Sequence, residues 1–262
     1  MRRRFASLRF GLLGWLIAAL ACAVPAAAAD PVLVPDVSNR QIAIQYSFRG
    51  EELLLFGAIV YPGGRRPTDR ADIVVVIKGP TEAIRLREKQ RMAGIWVNAD
   101  SVRFATMPGF YAVASSRPID QLMDERTAAI YEIGLANLSL SPASFEGPAQ
   151  LRRFEQGVID LKQRQGMFIE RDRAVTISEG ALYSARLTIP ARVPVGRYVA
   201  ETYLVSGGKV LAVGSRDIDI RKAGFDWFVA YAAENFGFLY GLVAVALATG
   251  MGWGAGWLFN RR

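Results

Sequence analysis

The chain contains no histidine and a single cysteine, and these two shortages remove most enzymatic and metal-binding options at the outset. Without imidazole there is no Ser-His-Asp triad, no Cys-His dyad and no histidine-ligated metal. The one cysteine, Cys22, lies in an N-terminal apolar stretch, so the rest of the chain has no thiol for a disulfide, a nucleophile or a metal. Methionines occur singly, which argues against copper delivery. No P-loop or Rossmann glycine pattern is present, and no basic helix or nucleic-acid motif. The expectation is therefore no cofactor, no metal and no nucleic-acid partner. Only the chemistry of Asp, Glu, Lys, Ser and Tyr remains open.

What is abundant is apolar sequence, at 52% of 262 residues, and the excess sits at the two ends. Met1-Arg2-Arg3-Arg4 and Arg9 precede an apolar run over 10–24. Pro25 and four alanines, Ala26 to Ala29, then lead to Asp30. A positive n-region, a short apolar core and an A-x-A site make a signal peptide over 1–29, cut after Ala29. A retained N-terminal membrane helix is the alternative, though the run is short for a span. Lipidation at Cys22 lacks the leucine expected three places earlier, where Ala19 stands. The formal charge of +8 falls to +4 without these 29 residues, which hold four arginines and no acid.

The second apolar segment has an aromatic-rich juxtamembrane part over 225–235 and an uncharged stretch over 236–259. Its 24 residues are enough to cross about 30 Å of hydrocarbon. Aromatic residues crowd both ends, and Arg261 and Arg262 close the chain as a short cytoplasmic tail over 260–262. The expected topology is single-pass in a bacterial inner membrane, with the main domain in the periplasm and the C-terminus in the cytoplasm.

Residues 30–224 read as a mainly β domain, an immunoglobulin-like β-sandwich with a helical insertion over 118–168. Short runs rich in Ile, Val, Leu and aromatics, at 40–48, 51–61 and 71–78, are separated by Arg49-Gly50 and Pro62-Gly63-Gly64. Further strand patterns follow at 83–90, 94–98, 102–106 and 110–115, and again at 174–178, 181–189, 197–205 and 209–220. Ser206-Gly207-Gly208 predicts a hairpin turn. The segment from Pro190 to Tyr198 resembles a turn of immunoglobulin-like bacterial domains, in which a tyrosine packs near a sandwich edge. In the insertion, Ile119, Leu122, Met123, Ile130 and Ile133 predict one helix ending at Gly134. Leu151, Phe154, Val158 and Leu161 predict a second, after Gly147-Pro148.

Three features carry functional expectations. Arg85, Arg87, Lys89 and Arg91 alternate, so one strand face would carry four cations in steps of about 7 Å, suited to an oxyanion or lipid headgroups. The competing reading is a solvated face that discourages edge pairing. Gly237-x-x-x-Gly241, Gly250-x-x-x-Gly254 and Gly252-x-x-x-Gly256 would let another membrane helix, or a second copy, approach closely. Glu234-Asn235 marks the outer boundary of the span, as an interfacial carboxylate or a polar contact to a partner.

The segment Gly94-Ile95-Trp96-Val97-Asn98, the stretch 110–118, the run Leu53-Leu54-Leu55-Phe56-Gly57-Ala58 and the C-terminal anchor together resemble the transmembrane protein family of alphaproteobacteria. The resemblance spans the mature chain. It implies topology and an association with membrane exporters of the sulfite and sulfonate type, and it assigns no catalytic residue. The expected function is a non-enzymatic, membrane-anchored accessory or binding protein, in contact with the lipid bilayer and with an integral membrane partner. The alternative is an anchored hydrolase using Asp/Glu or Ser/Lys chemistry, for which Ser115 and Lys78 are a conceivable pair.

Overall fold

The computed structural model describes residues 30–44, 49–64, 70–145, 147–223 and 225–259. The expected leader over 1–29, the tail at 260–262 and residues 45–48 of the expected strand at 40–48 lie outside them. Strands are numbered along the chain. One antiparallel sheet has the order β1-β3-β11-β10, built from Val32–Val37, Glu51–Val60, Leu182–Ile189 and Val175–Ser178. A six-stranded sheet has the order β2-β13-β12-β4-β7-β9, from Gln41–Ile44, Lys209–Lys222, Gly196–Ser206, Asp72–Lys78, Tyr111–Ser115 and Phe168–Arg171.

Alternation places Leu53, Leu55 and Ile59 of β3, with Tyr183, Ala185, Leu187 and Ile189 of β11, on the buried side of the first sheet. β4 and β7 instead bury both of their faces, because the helical insertion covers the one that the opposite sheet does not. That explains why they read as continuous apolar runs. Each fully buried Leu, Ile, Val or Phe among them stabilises the fold by about 1.5–3 kcal/mol.

Lettered in chain order with the insertions omitted, the two sheets read A-B-E-D and G-F-C-C′, the strand order used by immunoglobulin-type sandwiches. β2 is added beside β13, parallel to it. Tyr198, at the start of β12, is fully buried and donates its hydroxyl to the Pro194 carbonyl at 2.6 Å. A hydroxyl bonded back to the turn that precedes its own strand has the geometry of a tyrosine corner, within the segment from Pro190 to Tyr198. Burial, and then the charge of Glu82, push the Tyr198 phenol well above its ordinary range, so it stays a donor.

β7 and β9 are parallel, which requires a long crossover, and the insertion supplies it. Its first helix is not continuous. α1 (Ile119–Leu122) stops at Met123, which bridges to Gly208, and α2 (Glu125–Ile130) restarts behind Asp124. The Asp124 carboxylate caps α2 by accepting the Thr127 N–H at 3.0 Å. α3 (Pro148–Arg164) forms as expected, with proline in its first turn and Phe154 and Val158 buried. The insertion also contributes a strand, β8 (Ser141–Ser144), and β9 (Phe168–Arg171) is a further strand, ahead of the one expected at 174–178, which is β10.

The patterns at 83–90, 94–98 and 102–106 do not join the sandwich. They form a separate sheet, β5-β6-β8, dominated by the long hairpin of β5 (Thr81–Met92) and β6 (Ile95–Pro108). At the C-terminal end, α4 (Phe225–Asn235) and α5 (Gly237–Phe259) are joined by Phe236 N–H to Ala232 carbonyl and Tyr240 N–H to Phe236 carbonyl hydrogen bonds. α5 rises about 34 Å, long enough to span a bilayer core.

Candidate functional site

The hairpin grows out of the sandwich. Gly79 N–H donates to the Phe110 carbonyl and Gly109 N–H to the Pro80 carbonyl, both at 2.8 Å, so the β4–β7 ladder continues directly into β5–β6. The junction is tight. A Cβ on Gly79 would lie 2.8 Å from the Tyr198 ring, and one on Gly109 would lie 2.7 Å from Pro194. Register fixes which end of the sandwich this is. β13 leads into α4 and the anchor, Gly196 of β12 stands opposite Ile220, and Lys78 of β4 opposite Val199. The hairpin therefore leaves the same end of the sandwich that carries the membrane helix. Val195, Gly196, Ile220, Ala230, Tyr231 and Glu234 line one cleft there, where α4 meets the sandwich. With 12 residues in β5, the hairpin is about 40 Å long.

Its charges are sorted by face. Glu82, Glu88 and Asp100 are engaged by α3: Lys162 pairs with Glu82, and Arg153 reaches Glu88 at 3.0 Å and Asp100 at 2.7 Å. Between α3 and β5 lies a groove of about 400 Å³, lined by Leu86, Phe154, Gly157 and Leu161 among others. Arg85, Arg87, Lys89 and Arg91 alternate with Leu86 and Glu88 along β5 and are exposed, and Arg87 also borders the groove. β6 adds a fifth cation, since Arg103 stands directly opposite Arg85. No carboxylate pairs with any of these five among the described residues. Two like charges directly opposite each other weaken a sheet, so this face gains from a bound anion.

The tip is apolar. Ala93 (φ 48°) and Gly94 (φ 87°) form a two-residue turn with both φ angles positive, the type I′ geometry that matches strand twist. Around it Met92, Ile95 and Trp96 are 58, 65 and 68% exposed, and Trp96 shares the cationic face opposite Arg91. Sequence reasoning found the four β5 cations but not Arg103, nor the exposed tip, where Trp96 joins the cationic face and Met92 and Ile95 take the opposite one. Their union depends on register, and β6 carries one extra residue at each of two bulges.

The six glycines Gly237, Gly241, Gly250, Gly252, Gly254 and Gly256 all fall on α5. A Cβ added at any of them meets nothing within 4 Å. α5 buries none of its residues against the rest of the chain.

The conceivable hydrolase pair is not brought together. Ser115 stands opposite Val74, four residues along β4 from Lys78, or about 13 Å. The Ser115 hydroxyl donates to Asp172 at 3.2 Å, while Lys78 pairs with Glu132 at 2.9 Å and Glu201 at 3.5 Å. Asp120, Asp124, Glu125 and Glu170 line a second cleft, of about 440 Å³. There, hydrogen bonds from Thr127, side chain and then backbone, hold the Asp124 carboxyl below its ordinary range, as its role in capping α2 requires.

These features define a membrane-associated, β-rich protein with, among the described residues, one candidate transmembrane helix near its C-terminus. The chain belongs to the Alph_Pro_TM family, described as "Putative transmembrane protein", whose model matches residues 32–261. No curated protein matches it. Two solved structures are distantly similar. One is Spo0M, a sporulation control protein from Bacillus subtilis, with 10% identity and a TM-score of 0.28, covering 79% of this chain. This chain spans 56% of that one. The other is BslA, a bacterial hydrophobin, with 11% identity and a TM-score of 0.21, covering 75% of this chain and 98% of its own.

Proposed function

We propose that the chain is a non-enzymatic accessory protein of a bacterial inner membrane. Its β domain is displayed in the periplasm, and its C-terminal helix stands beside a transporter or another membrane assembly, or beside a second copy. The orientation follows from the arginine-led signal sequence and the cationic C-terminal end, because short cationic flanks stay in the cytoplasm. The observation that carries the reading is α5, whose 23 residues are unburied and whose glycine positions are open to a neighbour along the helix. The separation of Ser115 from Lys78 counts against the Ser/Lys form of the hydrolase alternative.

A reporter active only outside the cytoplasm, fused after Arg221, should be active, and the mature chain should start near Asp30. In mild detergent the native chain should migrate with one integral membrane protein or with itself. Cytoplasmic labelling of residues 40–220 in intact cells would overturn the orientation. A free monomer, both in detergent and after cross-linking in cells, would overturn the accessory role.

A further inference from the structure

We infer that the β5–β6 hairpin is a second membrane attachment, a finger that docks on anionic lipid. Its cations hold headgroup phosphates, and its tip enters the interface. This rests on the reading of the chain as anchored in a bilayer.

Three independent observations converge on it. The hairpin extends the β4–β7 ladder out of the end of the sandwich that carries the anchor, so the anchor keeps it near lipid. Arg85, Arg87, Lys89, Arg91 and Arg103 share one face, with every acid of the hairpin turned to α3 instead. The tip exposes Met92, Ile95 and Trp96, the kind of side chains that settle at a membrane–water boundary.

A solvated, edge-protecting face would account for the cations alone. It would not place Arg103 opposite Arg85, nor end the hairpin in exposed tryptophan and isoleucine. α3 runs along β5 from Asp100 and Glu88 towards Glu82, and leaves the last turn of the hairpin uncovered. The phosphates of an anionic bilayer supply the missing counter-charge, at a density that free phosphate in solution does not reach.

The test uses the full chain in nanodiscs of phosphatidylcholine, with or without phosphatidylglycerol. Cys22→Ser removes the one native thiol, and Asn98→Cys, exposed on the cationic face opposite Lys89, carries an environment-sensitive fluorophore. In anionic discs the label should shift to the blue and be quenched by spin-labelled lipid. Raising the salt should reverse both effects, since the Debye length falls from about 10 Å at 0.1 M to about 3 Å at 1 M. Neutralising Arg85, Arg87, Lys89 and Arg91 to glutamine should weaken docking about fivefold for each cation. Ile95→Ser with Trp96→Ser should lower quenching at every salt concentration. Inorganic phosphate added to neutral discs should leave the label unmoved.

A label that stays in water in both lipids overturns the proposal, and so does a response to free phosphate equal to that in anionic discs. A shift of equal size in neutral discs overturns the headgroup contact. The labelled chain with its native cations is read first, so a misfolded variant cannot decide the outcome. Discs contain neither a cellular orientation nor a companion protein, so failure here is separate from failure of the accessory role.

Discussion

At the residue scale, the fold depends on a few contacts where the chain changes direction. Tyr198 is the clearest, because it fixes the turn that enters β12 and its ring also packs on the Gly79 junction of the hairpin. Phenylalanine in its place would keep the packing but leave the Pro194 carbonyl without its 2.6 Å donor. We expect Tyr198→Phe to cost about 1–2 kcal/mol and to lower the thermal midpoint by about 2–8 °C. Circular dichroism melts of the two proteins measure this, and an unchanged midpoint would show that the corner is ornamental. Asp72 plays a comparable part at the far end of β4. It is buried, and it accepts hydrogen bonds from the Arg117 guanidinium and, at 2.7 Å, from the Ser116 hydroxyl.

At the element scale, α3 keeps the hairpin from standing alone, since an isolated two-stranded ribbon is at best marginally stable in water. Phe154→Ala should therefore cost about 3 kcal/mol and lower the midpoint by about 6–12 °C. Hydrogen exchange should quicken across 84–104 and stay slow in β3 and β11. Uniform acceleration would mean that hairpin and sandwich open as one unit. What could be read from sequence divides along the same line. The runs of β4 and β7 and the alternation of β11 are set by burial, and burial leaves its period in the sequence. β1 was missed because Pro35 interrupts it, which is tolerated since β1 is an edge strand. The break at Met123 was missed because the apolar spacing continues through it, and only Asp124 marks the restart. At the candidate site, the cations of β5 alternate and are legible. Arg103 and Trp96 join them only through a register shifted by bulges, which a periodic pattern does not encode.

At the scale of the whole molecule, the anchor can be tested as a recognition surface. Lipid is as apolar as leucine, so helices in it associate by close packing and not by burying apolar side chains from water. Glycine also lowers helix propensity by about 1 kcal/mol each in water, so a passive tether gains nothing from six of them. Their placement is uneven. At about 100° per residue, Gly237, Gly241, Gly252 and Gly256 fall within about 100° of arc, while Gly250 and Gly254 lie on the opposite side. α5 thus offers two ridges, one running its full length and one confined to the end nearest the C-terminus. Gly252→Leu with Gly256→Leu blocks the long ridge, and Gly250→Leu with Gly254→Leu blocks the short one, while both pairs keep the span apolar. If α5 recognises a neighbour, both double variants should insert normally, and at least one should lose about tenfold or more in association, read by cross-linking in native membranes. Loss in the first pair alone assigns the contact to the long ridge, and loss in both means that α5 lies between two helices. If both variants and a wholly unrelated membrane helix associate as well as the native chain does, α5 is only a tether, and recognition belongs to the β domain and its cationic hairpin.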